Sequence, residues 1–210
     1  PPIAETIAYV RRVLRMTGAA GTRTVTVTKA DYSLSPVSVR YGAKIITEGG
    51  RSYGYINLRT FISSADDQLK AAFADFRARG VTDIIVDFRY NGGGLVSTAN
   101  LMGDLMGAGR AGKTLSQTQF RSSKPAENDE HRFTPVSQSI APTRIAFIGS
   151  GSTASASELV INSMLPWLGT NMTLVGSNTY GKPVGQIALD KAECDDRMRV
   201  VALGTGKATA

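Results

Sequence analysis

The chain has 210 residues, 42% hydrophobic and 20% charged, which is enough for one full core and is not the composition of a disordered or fibrous protein. The net charge of +7 is scattered, with no zinc-finger spacing and no aromatic RNA-binding motif, so a general solubility charge is preferred over nucleic-acid binding. A single cysteine, Cys194, and a single histidine, His131, exclude an internal disulfide and a His/Cys metal cluster, and no apolar run reaches membrane-spanning length.

In chain order, residues 3–16 carry Ile3, Ile7, Val10, Val13 and Leu14 at helical spacing, with Gly18 and Gly21 as a stop. Residues 22–28 alternate as a strand, and residues 32–36 read as a linker. Strand-like pieces follow at residues 37–40 and 44–46, then a turn at residues 48–52 and a strand at 53–58. Ser63 or Ser64 can cap a helix over residues 65–79, whose stripe Leu69, Ala72, Phe73 and Phe76 has spacings of three and four. Residues 82–88 read as a strand buried on both faces, and strand, helix, strand implies a parallel sheet.

That strand runs into Asn91-Gly92-Gly93-Gly94, and a helix is expected over residues 97–106. Three glycines at the carboxyl end of a strand let backbone amides approach a ligand, although neither phosphate-loop pattern is present. Residues 107–143 form a long polar excursion with a strand over 113–120, and His131 is expected there as a solvated loop residue.

The centre of the chain is residues 149–158. A β-branched strand at residues 144–148 turns through small residues into an apolar-periodic helix. Such a turn can hold a serine at a helix N-terminus, beside unpaired N–H groups suited to an oxyanion. It can equally be an ordinary turn capped by Ser and Thr. After that helix, residues 173–176 form a short strand, and Lys182 follows between turn residues. A serine hydroxyl needs a base. Lysine serves only as the neutral amine, which burial or neighbouring positive charge favours.

Three motifs in order carry a family resemblance. Residues 53–58 with 84–94, ending Asp87-Phe88-Arg89-Tyr90-Asn91-Gly92-Gly93-Gly94, resemble "GYI…LDLRxNPGG" with Gly92 for the usual proline. Residues 153–158 match "TASASE", and residues 180–186 are similar to "FGKGxxQ". Together they resemble the carboxyl-terminal processing, or tail-specific, proteases of family S41 over roughly residues 37–203.

The resemblance implies an α/β fold: a crotonase- or ClpP-like protease core, its β-sheet containing parallel strands and flanked by helices, over residues 31–210. Residues 1–30 would be the remnant of a PDZ-like domain, in a chain trimmed at its N-terminus and truncated at its C-terminus. It implies Ser155 as nucleophile, Lys182 as general base and Gln186 as the residue that positions the lysine. The oxyanion amides would be those of Ala156 and Gly93, with Gly94 the alternative. It implies no cofactor, polypeptide substrates with exposed C-terminal tails, and a bacterial cell-envelope, periplasmic location.

Lys182 follows Ser155 by 27 positions, slightly more than the family spacing, and the extra length is expected in a turn at residues 165–171. Two other readings are an inactive peptide-binding module on the same fold, against which Ser155, Lys182 and Gln186 stand intact, and a crotonase-like acyl-CoA enzyme, which would not need Ser155 and Lys182 together.

Overall fold

The computed structural model describes residues 11–28, 30 and 32–207. The chain divides into two compact units, residues 1–34 and residues 35–210.

The first unit contains an antiparallel hairpin of β1 (Arg11–Gly18) and β2 (Gly21–Thr28). The strand expected at residues 22–28 is present. Of the helix expected over residues 3–16, residues 3–10 lie outside the described part, and residues 11–16 are strand instead. The pairs Val13↔Thr26 and Leu14↔Val25 are cross-strand neighbours. A tight turn between Gly18 and Gly21 lets β1 and β2 satisfy each other's amides, and that ladder overrides a helical spacing carried by few apolar residues.

The second unit is built on a five-stranded sheet of order β3-β4-β5-β8-β9. Its strands are β3 (Ala43–Glu48), β4 (Arg51–Asn57), β5 (Asp83–Asp87), β8 (Arg144–Gly149) and β9 (Met172–Gly176). β3 pairs antiparallel with β4, and all other pairs are parallel. Val37 makes only an isolated bridge to Leu58, so residues 37–40 are not a strand.

Helix α1 (Ala65–Ala78) crosses from β4 to β5. Its apolar stripe is buried: Leu69, Phe73 and Phe76 are fully enclosed. Helix α2 (Val96–Leu105) follows β5, and α3 (Ala156–Leu168) follows β8. On β5, Ile84 and Val86 join the helix-covered core, whereas Ile85 is only half-buried, so the strand is not enclosed on both faces as expected. Phe88, just past β5, packs on Phe61 and Phe147 at centroid distances of 5.5 and 5.8 Å, so the loop after β5 stands on an aromatic base. α3 runs through Pro166 to Leu168 before a 3-10 turn at Gly169–Asn171, so residues 165–168 extend the helix rather than the turn.

A second, antiparallel sheet has the order β10-β11-β6-β7. It comprises β6 (Thr114–Phe120), β7 (Asp129–Arg132), β10 (Val184–Lys191) and β11 (Asp196–Lys207). The excursion at residues 107–143 therefore supplies two strands. β6 is the strand expected at 113–120; β7, short and polar, carries too little apolar alternation to be read locally. Leu115 of β6 seats against Gly103 of α2, where an added Cβ would lie 2.2 Å from a Leu115 methyl.

His131 lies in β7, half-buried, and not in a solvated loop. Its Nε2 is 3.0 Å from Asp104 Oδ2, and Asp104 Oδ1 accepts the Thr134 N–H at 2.8 Å. The pairing of β7 with β6 brings the imidazole to the end of α2, which sequence distance hides. Burial pushes the Asp104 carboxyl up, and the Thr134 and His131 contacts only partly offset it. The folded state therefore holds that proton more tightly than the unfolded chain. Stability from this site is greatest at low pH and falls as pH rises from the ordinary aspartate range through the raised value. Asp104→Asn is expected to flatten this part of the pH dependence, measured as urea midpoints between about pH 4 and 7. An unchanged slope would show that Asp104 does not control it.

Candidate active site

Three turns meet at the carboxyl ends of β5, β8 and β9. The first follows β5. Asp87, fully buried, accepts the Tyr55 hydroxyl at 2.8 Å and a bidentate pair from Arg89, with contacts of 2.6 and 2.9 Å. Burial would raise the Asp87 carboxyl, but the Arg89 bonds and the Tyr55 hydroxyl outweigh it and hold it below the usual aspartate range. The Tyr55 phenol is pushed up to about 12 by burial and by its bond to Asp87.

Beyond this anchor the Asn91 side chain donates to Leu58 O at 3.0 Å and accepts the Gly93 N–H at 2.9 Å. Gly93 and Gly94 have φ of +100° and +142°. A Cβ on Gly93 would lie 2.8 Å from Ser155 Cβ and 2.9 Å from Ala156 N, and one on Gly94 would lie 2.0 Å from Phe61 O. Only glycine fits either position. Gly94→Ala is expected to destabilise by more than about 3 kcal/mol, through steric overlap and backbone strain together. Gly92 has open space and no positive φ, and Gly92→Ala should change stability by less than about 1 kcal/mol. Denaturant titration of the two variants checks the contrast, which would fail if they matched.

The second turn joins β8 to α3. Thr153 Oγ1 donates to Phe88 O at 2.8 Å, and the Ala154 N–H and Ser157 hydroxyl both donate to Asn91 O, at 3.1 and 3.0 Å. These bonds clamp the serine turn to the glycine turn. Ser155 stands at the head of α3 with φ 56° and ψ −116°, outside the regions an L-residue favours. Such strain persists only where its surroundings over-determine it, which is frequent at functional sites.

The third turn follows β9 and carries Lys182. Glu158, in the first turn of α3, joins it to the second. Its carboxylate accepts the N–H groups of Ser155 at 2.8 Å, Gly181 at 2.6 Å and Lys182 at 2.8 Å. The Tyr180 N–H also donates to Thr153 O at 2.9 Å. Burial pushes the Glu158 carboxyl up, but the amide bonds from Lys182, Gly181 and Ser155 and a bond from Thr179 outweigh it, so it is held below the usual glutamate range. The sequence contained the signal, an acid three residues after a helix-capping serine, but that pattern reads only as a cap.

Ser155 and Lys182, both half-buried, line the same two cavities. One, of about 330 Å³, also touches Glu158, Asn162 and Thr205. The other, of about 670 Å³, reaches Phe61, the three glycines, Ala156 and Gln186. All the residues singled out for the site thus border one space. His131 borders neither cavity. Within the glycine turn, the Gly93 N–H is engaged by Asn91, whereas the Gly94 N–H has no acceptor among the described residues. Ala156, as the first residue of α3, has an N–H with no partner inside the helix. Among the described residues no cluster of three or more His, Cys, Asp or Glu side chains is arranged to hold a metal ion.

Fold and site together define an α/β chain in which a strained serine at a strand-to-helix turn shares its cavity with a glycine turn and a lysine-bearing turn. The chain belongs to peptidase family S41, whose family model matches residues 52–203. It is 26% identical over 198 residues to the chloroplastic C-terminal processing peptidase of Tetradesmus obliquus, covering 90% of this chain and 40% of that protein. It is 27% identical over 157 residues to the carboxyl-terminal-processing protease of Synechocystis sp., covering 75% of this chain and 34% of that one. The chain thus spans less than half the length of these curated relatives. Among solved structures, a protein described as an S41 protease from Bacteroides fragilis superposes with TM-score 0.74 at 22% identity, covering 93% of this chain and 54% of that one. The photosystem II D1 C-terminal processing protease gives TM-score 0.63 at 22% identity, covering 95% and 51%. These likenesses establish the S41 protease fold. No helix among the described residues is long and apolar enough to cross a membrane.

Proposed function

We propose that the chain carries the active site of a serine endopeptidase with a Ser155–Lys182 dyad, acting on polypeptides near exposed C-terminal tails. The observation that carries this reading is that a strained Ser155 and Lys182 line the same two cavities, with Glu158 tying both turns together.

Lys182 Nζ, as the neutral amine, takes the Ser155 hydroxyl proton while Ser155 Oγ bonds to the peptide carbonyl carbon. The tetrahedral oxyanion is held by the Ala156 N–H and the glycine turn. There the unengaged Gly94 N–H is the readier donor, and Gly93 would first have to release Asn91. The C–N bond then breaks, and the leaving nitrogen receives the proton from Lys182. Water, deprotonated by Lys182, hydrolyses the acyl-enzyme and regenerates Ser155. Gln186, on the rim of the larger cavity, steadies the lysine. The reading extends to residues 1–30 as the end of a PDZ-like domain and to a bacterial cell-envelope location.

The test is cleavage of an unstructured protein with an apolar C-terminus by the full-length protein and by Ser155→Ala. Cleavage by the first and none by the second is expected. Equal cleavage by both removes Ser155 from the mechanism, and binding without cleavage by the unsubstituted protein would favour the peptide-binding module.

A further inference from the structure

The larger cavity holds a group that neither the motifs nor the proposed mechanism uses. Arg199, on β11, lines it together with Ser155 and Lys182. It comes there through the hairpin of β10 and β11, in which Ala188 faces Arg199 and Gln186 faces Val201. Cross-strand partners share a face, so Gln186 and Arg199 are diagonal neighbours on one side of the ladder. The register shifts at Gly185/Gln186, and such an irregularity beside a site re-aims side chains.

The charge pattern is one-sided. Asp190, the acid nearest Arg199 along the hairpin, is taken bidentately by Arg197, at 2.5 and 2.8 Å. Arg199 makes no ion pair with any described residue. Among the described residues no carboxylate lines the cavity, whose walls include Phe61, Leu95, Leu159 and Leu203. Glu158 borders only the smaller cavity, and its oxygens are occupied by three amides. Arg199 is solvent-exposed and close enough to Asp190 to help hold that carboxyl below its usual range, but its guanidinium is not held in an ion pair and offers a planar fork matched to a carboxylate.

We propose that Arg199 is a specificity-determining residue that recognises a carboxylate of the bound polypeptide on the large-cavity side of Ser155. This rests on the reading of the cavity as the substrate site. The carboxylate has two possible sources, an Asp or Glu side chain near the scissile bond or the polypeptide's own C-terminus.

Matched peptides separate the two. One pair differs only by Glu against Gln near the cleavage point, both with amidated C-termini; a second pair lacks acidic side chains and differs only by free acid against amide. Each is assayed with the full-length protein for kcat/KM, and with its Ser155→Ala form for binding by fluorescence anisotropy. Within one of the pairs, the carboxylate peptide should be favoured roughly tenfold to a hundredfold, the range for a charge-assisted hydrogen bond. Arg199→Gln should bring that ratio close to one, and Arg199→Glu should favour a Lys peptide instead. The pair that responds identifies the source. If neither pair discriminates, or if discrimination survives in Arg199→Gln, the proposal is overturned. Carboxylate-selective binding that depends on Arg199, in a protein that cleaves nothing, would keep the proposal and reject the peptidase reading. Cleavage without selectivity would do the reverse.

Discussion

Lys182→Ala is expected to lower kcat/KM for peptide cleavage by about 10²- to 10⁴-fold, the usual contribution of a positioned general base. The residual activity would come from the oxyanion amides and substrate binding. Lys182→Arg should not rescue it, because a guanidinium stays protonated in proteins. His131→Ala is the control. The imidazole contacts Asp104 and borders neither cavity, so its loss should leave cleavage nearly intact. Rates would be measured beside thermal unfolding, so that a fold defect is not taken for a chemical one. Substantial cleavage by a folded Lys182→Ala protein would sink the dyad.

The second large effect is expected at Glu158. Its two oxygens accept three backbone N–H groups from two turns, and a glutamine amide has only one oxygen to accept with. Glu158→Gln should leave at least one of these donors unpaired, at about 1–3 kcal/mol of stability. It should also let the Lys182 turn drift from Ser155, and a displacement near 1 Å is enough for roughly 10²-fold in rate. The loss should fall mainly on kcat, because Glu158 holds the reacting groups rather than the distant substrate. The pH dependence has a definite sign. A carboxyl held below its ordinary value contributes stability above the unfolded-state value, near 4.3, and loses it as pH falls through the depressed one. Glu158→Gln should therefore cost stability at neutral pH, and its deficit against the unsubstituted protein should shrink as pH falls through the depressed value. A stable Glu158→Gln protein with unaltered kcat would remove the positioning role.

Local pattern carried much of this fold. The stripe Leu69, Ala72, Phe73 and Phe76 declares α1, because residues three and four apart share a helix face whatever the helix packs against. The run from β4 through α1 to β5 declares a parallel pair, because a crossover helix leaves little other topology. Ser155, Lys182, Gln186 and the glycine turn are singled out together by a resemblance to a family pattern, and they border one cavity.

Other features were decided by chain segments meeting over long sequence distances. β1 is a strand because β2 lies beside it to complete its hydrogen bonds, a condition invisible in the Val13 and Leu14 spacing. His131 is paired with Asp104 because β7 adds to β6 at the edge of the second sheet. Glu158 is legible as a cap, but only the returning turn after β9 makes it the acceptor for Gly181 and Lys182. Arg199 reads as one scattered surface charge among many until the β10–β11 hairpin carries it to the rim of the Ser155 cavity. Sequence periodicity reports the geometry of neighbouring residues along one element. Ladder pairing and the meeting of charges depend on how distant elements close on one another, and that closure is set by the whole core at once.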